Sequence, residues 1–86
     1  MKYTQHTLDK LEALIAELEY VVRYERGTFQ SGYCILEDKK VVVLNKFLQL
    51  EGRINTMMDI IPKLIQDPTV LTTESRRTYE QILANA

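Results

Sequence analysis

The sequence predicts a single α+β domain ordered α-β-β-β-α-α, with a small three-stranded antiparallel meander packed on one side by helices. Three observations lead there. Leu8, Leu11, Leu14, Ile15, Leu18 and Val22 recur at spacings of three and four residues, the period of one helix face. Between Tyr20 and Asn45 the period shortens to two, and β-branched and aromatic residues take over. From Phe47 to Ile65 the longer period returns.

The chain has 86 residues, of which 45% are hydrophobic and 27% charged, the composition of one small globular domain, residues 1–86. A core of this size stabilises by only about 3–5 kcal/mol. No cysteine pair and no close-spaced ligand set is present to add to it. Burial of leftover apolar surface in a homodimer is therefore expected. A net charge of −1 gives no field that would draw in nucleic acid or an anionic membrane. Cys34 is the single cysteine, so no internal disulfide can form, which fits a reducing cytoplasm. The opening MKYTQHTLDKLEALIAELEY has no uninterrupted apolar run. It does not read as a signal peptide, and no stretch is long enough to cross a bilayer.

The first helix is expected over Thr7–Glu19, capped by Thr7 or by Thr4 one turn earlier, with Asp9 and Glu12 near its positive end. Tyr20–Arg26, YVVRYER, alternates with period two and reads as a strand. Gly27 breaks it, and Gly27–Gly32, GTFQSG, is the most turn-like stretch. Tyr33–Glu37, YCILE, is a second strand, with Phe29 as its earliest start, and Glu37–Lys40 reads as a hairpin connection. Val41–Asn45, VVVLN, is apolar on both faces. Such a strand is either central and covered twice, or covered once and used for association.

The next helix starts at Asn45 or about one turn later. Its stripe is Phe47, Leu50, Ile54, Met57, Met58, Ile61, Leu64 and Ile65, with Leu48 and Ile60 off it. Pro62 cannot donate a backbone bond, and its ring opposes the Met58 carbonyl, so a kink or break is expected near Ile61. Gln66-Asp67-Pro68 is a loop. Thr72 or Thr73 caps a last helix bearing Tyr79, Ile82 and Leu83.

Few residues carry reactive chemistry. His6 and Cys34 are the only histidine and cysteine and fall in different elements, whereas zinc sites use close-spaced pairs; no metal and no cofactor are expected. A nucleophilic Cys34 would need His6 as its base, so a small apolar role inside a strand is the simpler reading. The carboxylate pairs Glu37/Asp38 and Glu17/Glu19 do not face across a cleft. GTFQSG lacks a Walker lysine and the dinucleotide spacing, but it is the foremost candidate loop for function because Phe29 has no evident burial partner. Tyr24, Phe29, Tyr33 and Arg53 are accordingly the candidate ligand or partner contacts. A nucleic-acid surface would use Arg23, Arg26, Lys39, Lys40, Lys46 and Arg53 around Tyr20, Tyr24 and Tyr33. Interleaved Glu25, Glu37, Asp38 and Glu51 weigh against it. The simpler alternative packs those tyrosines under a helix, with their hydroxyls at the rim.

The string VRYERGTFQSGYCILEDKKVVVLNKFLQLEGRI resembles small bacterial proteins of uncharacterised activity that pair a V-R-Y-E-x-G strand-turn with a K-K-V-V-V-x-N-K strand. This resemblance implies no activity. Residues 41–61, VVVLNKFLQLEGRINTMMDII, are also similar in rhythm to ImmA/IrrE-type metallopeptidases, in which a strand, an Asn and a Leu-Glu-x-Arg helix start lead into the zinc-binding H-E-x-x-H helix. Met58, Asp59 and Pro62 stand where that family places His, Glu and His. Both metal ligands are absent, and Asp59 is a shorter acid than the family's general base. The resemblance thus implies a helix–sheet–helix scaffold and no zinc or catalytic role.

These readings converge on a non-enzymatic protein-interaction module of the cytoplasm, self-associating or bound to a protein partner. A small-molecule or enzymatic site around Gly27–Gly32 is the alternative, and single-stranded nucleic-acid binding on the tyrosine-bearing sheet face is the third. Val43→Asp is expected to unfold the chain or split a dimer, because the charge enters an apolar layer. Circular dichroism and size-exclusion chromatography check this, and wild-type stability and size would refute the strand assignment.

Overall fold

The computed structural model describes residues 1–26 and 33–85. Their elements are α1 (Gln5–Glu17), β1 (Val21–Glu25), β2 (Tyr33–Leu36), a 3-10 turn (Glu37–Lys39), β3 (Val41–Asn45), α2 (Leu50–Leu64), a second 3-10 turn (Pro68–Val70) and α3 (Thr73–Ala84). Helices and strands therefore follow the expected order of a small α+β domain, but the sheet is not the expected meander. Its order is β1-β3-β2. β3 pairs parallel with β1, Val21 opposite Val41 and Tyr24 opposite Leu44. It pairs antiparallel with β2, Tyr33 opposite Leu44 and Leu36 opposite Val41. The all-antiparallel expectation fails because the strand apolar on both faces takes the centre, where neighbours on both sides shield it. β1, which carries Arg23 and Glu25, goes to an edge. The β2–β3 connection through Glu37–Lys39 is the expected hairpin link.

α1 and α2 lie against the sheet face that carries Tyr24 and Tyr33, and α3 packs on α1 and α2. The core joins Leu8, Leu11, Leu14 and Ile15 of α1, Val42 and Leu44 of β3, Ile54, Met57, Ile60 and Ile61 of α2, Leu71, and Ile82 of α3. Val22, Tyr24, Tyr33 and Ile35 pack onto it from the flanking strands. The shortest dimension, 19 Å, is that of one helix layer on one sheet layer.

The helix ends follow local chemistry. α1 starts one turn before Thr7, because the Thr4 hydroxyl accepts the Thr7 N–H at 3.2 Å. It stops at Glu17 because Glu19 turns left-handed (φ 67°). The Glu19 N–H then reaches the Ala16 carbonyl at 2.9 Å and the Tyr20 N–H reaches the Ile15 carbonyl at 3.3 Å, the paired bonds of a Schellman end. α2 begins about one turn after Asn45. The Asn45 carboxamide accepts the Phe47 N–H at 3.0 Å and the Asn45 carbonyl the Leu48 N–H at 3.1 Å, so a turn precedes the helix. Phe47 is thereby left 65% exposed, off the predicted stripe, and Ile60, expected off the stripe, is fully buried. Nor does α2 break at Pro62. The helix continues to Leu64, and the Ile65 N–H still bonds to the Ile61 carbonyl at 3.2 Å. A proline in the last turn removes one bond where few remain to be lost.

α3 is tied to α1 by a carboxylate. Glu17 accepts the Thr72 N–H at 2.9 Å, the Thr72 hydroxyl at 3.2 Å and the Ser75 hydroxyl, at the positive end of α3. Thr72 is also that helix's own N-cap. Burial pushes the Glu17 carboxyl up, but the bonds from Ser75 and Thr72 outweigh it and hold it below the ordinary carboxylate range. A depressed carboxyl contributes stability above its unfolded pKa and loses it as pH falls through its folded value. Glu17→Gln is therefore expected to cost about 1 kcal/mol near neutral pH. The difference from wild type should shrink as the pH is lowered through the carboxylate range. Urea denaturation across that range checks it, and a gap that stays constant with pH would contradict the charged role.

Candidate functional site

The four predicted contact residues do not form one cluster in the described structure. Arg53 of α2 lies over the Tyr24 ring, its guanidinium carbon 4.5 Å from the centroid. Its Nε donates to the Leu48 carbonyl at 2.9 Å and its Nη2 to the Lys46 carbonyl at 3.1 Å. The Tyr24 hydroxyl donates to Glu12 Oε1 at 2.8 Å. Burial first, and that carboxylate second, push the phenol well above its usual range. These contacts fasten β1, α1 and the β3–α2 link together. Tyr33 stands one strand beyond β3, with Leu44 between it and Tyr24. Its hydroxyl donates to Asp59 Oδ2 at 3.3 Å and accepts from Lys63 Nζ at 2.8 Å. Lys63's bond to Tyr33 first, and its own bond to Asp59 Oδ2 at 3.3 Å second, push the Lys63 ammonium up. Phe29 and the rest of the Gly27–Gly32 loop lie outside the described residues.

Tyr20, Tyr24 and Tyr33 all pack toward the helix layer, with the Tyr24 and Tyr33 hydroxyls bonded to helix side chains at the rim. That layer stands where a base stacked on these rings would have to lie. Cys34 pairs with Val43 on the opposite face of the sheet, while His6 is exposed on α1 in the helix layer, so the sheet separates the two. Among the described residues, no group of three His, Cys, Asp or Glu is placed to hold a metal ion. Asp59 accepts from Lys63 and from Tyr33, each at 3.3 Å. No helix among the described residues is long and apolar enough to cross a membrane.

Two surfaces stand out among the described residues. The first is the sheet face away from the helices. Strand alternation places Val21, Val41 and Leu36 in one row across it, and Arg23, Val43 and Cys34 in the next. Val21 is 58% and Leu36 41% exposed, whereas Val43, flanked on both sides, is 7% exposed. The face is apolar toward the start of β3 and polar toward its end, where Arg23 and Glu25 pair at 2.8 Å.

The second is a groove of about 460 Å³ where β1 and β3 begin, walled by α1, the end of α2 and the second 3-10 turn. Glu19 and Lys40 line it, and both have left-handed backbones, with φ of 67° and 52°. Their side chains meet at 3.6 Å, 82% and 53% exposed respectively. Left-handed backbone at a residue with a side chain costs about 1–2 kcal/mol, which is why glycine is the usual occupant of a helix C′ position. An exposed ion pair returns only about 0–1 kcal/mol, and a cation over the Tyr20 ring at 6.0 Å adds little at that distance. The fold alone thus gains nothing from charged residues at these two positions. The sequence offered Glu19 only as half of the pair Glu17/Glu19, expected to face no cleft, and Lys40 only as a nucleic-acid contact, whereas both glutamates line this groove; a positive φ leaves no mark on a sequence unless glycine or asparagine occupies the position.

No family model, curated protein sequence or solved structure matches the chain.

Glu19→Gly is expected to raise stability by about 0.5–1 kcal/mol, since glycine takes the left-handed conformation without a Cβ clash. The urea midpoint should rise with unchanged slope. A lower midpoint would show that the Glu19–Lys40 pair outweighs the backbone cost.

Proposed function

We propose that the chain is a non-enzymatic protein-interaction module that associates with a second copy of itself through the open sheet face. The observation that carries this reading is the outward row Val21–Val41–Leu36, whose flanking members are largely exposed. Apolar residues side by side on a face without a covering layer gain by leaving water. A domain of 86 residues has little core stability to spare, so that gain counts.

Charge favours a copy of the chain as the occupant. Three strands of five, four and five residues make a face of only a few hundred Å², so an interface of about 800 Å² per partner would also take in the rim around it. A two-fold interface must be self-complementary. Beside its apolar rows this face carries the pair Arg23 and Glu25, so a copy turned by two-fold symmetry can set opposite charges against each other. Two slabs stacked this way would form four layers, helix–sheet–sheet–helix, with the strands covered on both sides.

Native mass spectrometry over a concentration series tests the proposal. The wild-type chain is expected at twice its monomer mass. The double variant Val21→Lys/Leu36→Lys is expected at monomer mass with unchanged circular dichroism, because both side chains are already exposed. A wild-type monomer at every concentration, or a double variant that still dimerises, would overturn it.

A further inference from the structure

We propose that the groove between Glu19 and Lys40 binds an apolar α-amino acid, a function separate from association through the sheet face. Two independent positions, one closing α1 and one opening β3, keep a charged side chain where the backbone favours glycine. Both side chains reach the same groove and meet there at 3.6 Å. Since their mutual contact is loose and solvated, their value lies in something other than the fold.

The charged groups lining the groove are Glu17, Glu19, Asp67 and Lys40. Glu17 is held by Thr72 and Ser75, and Asp67 by Thr69, which leaves the Glu19 carboxylate and the Lys40 ammonium to face a ligand at adjoining positions. An α-amino acid carries the complementary charges on a single carbon. Its ammonium answers Glu19 and its carboxylate answers Lys40, replacing one long ion pair by two charge-assisted hydrogen bonds. A ligand with one charge would satisfy one partner and strand the other. Leu64 and Val70 form apolar wall, and Val70 is 61% exposed, so a branched aliphatic side chain laid along them removes apolar surface from water. The ring of Tyr20, with Lys40 above it, closes one side. Gln66 adds an amide that can donate to the ligand carboxylate or accept from its ammonium. The groove volume, about 460 Å³, lies within the range of small-molecule sites.

The test is an amide NMR titration of the 15N-labelled chain with L-leucine, with 3-methylbutylamine, which lacks the carboxylate, and with 4-methylpentanoate, which lacks the ammonium. Leucine is expected to give saturable shifts at Glu19, Tyr20, Lys40 and Val70, and each one-charge analogue to bind roughly tenfold more weakly or worse. Glu19→Gly and Lys40→Gly are expected to stay folded, because glycine suits their backbones, and to lose leucine binding. No saturable shift with leucine, an analogue that binds as tightly as leucine, or full binding by the folded Glu19→Gly variant would each overturn the proposal. The mass measurement on Val21→Lys/Leu36→Lys reports on the sheet face alone, so either proposal can fail without the other.

Discussion

The structure depends on β3 being paired along both edges. Its backbone groups are satisfied by β1 on one side and β2 on the other, and its inward side chains, Val42 and Leu44, are sealed completely. Only the central strand of three has neighbours on both flanks. The most apolar run of the chain therefore belongs there, and the strands that tolerate charge or water take the edges. Once β3 is central, β1 must pair parallel and β2 antiparallel, and the row Tyr24–Leu44–Tyr33 sets where the helices can sit. The core then assembles from α1 and α2 on one face, with α3 added through Leu71 and Ile82.

Hydrophobic burial is non-directional, so the orientation of each helix on that face is left to polar fasteners. Glu17 holds the start of α3 from the end of α1. Glu12 holds Tyr24 of β1. Arg53 closes the turn between β3 and α2 by bonding to the Lys46 and Leu48 carbonyls while stacking on the same tyrosine. Asp59 and Lys63 secure Tyr33 of β2. These polar groups therefore serve the architecture, and the two tyrosines that looked like ligand contacts are spent on holding the sheet to the helices.

The surfaces left for function are those the architecture does not use. Among the described residues the sheet face away from α1 and α2 has no covering helix, and the groove lies where α1, the end of α2 and the second 3-10 turn meet the start of β1 and β3. The two differ in chemistry. The face is flat and apolar with a charged end, suited to a large partner; the groove is concave, with opposite charges at its rim, suited to a small one. Phe47, 65% exposed between Arg26 and Lys46, lies at the opposite end of β3 from the groove and belongs to neither.

Which segments became helix and strand could be read from local pattern in the chain. The three-and-four spacing of Leu8 to Leu18, the apolar run Val41–Leu44 and the cap at Thr72 act within a few residues of chain, so they can be read without knowing what lies across the molecule. The sequence also determined that a strand apolar on both faces would leave valines uncovered if only one helix layer was present. Tertiary structure alone decided the strand order, the parallel pairing of β1, the burial of Ile60 and the exposure of Phe47. Each of these turns on which distant segment arrives beside the residue, and periodicity carries no such information. The groove is the clearest case. Glu19 and Lys40 look like ordinary surface charges in the chain, and only the folded backbone, left-handed at both, brings them together and makes their presence costly.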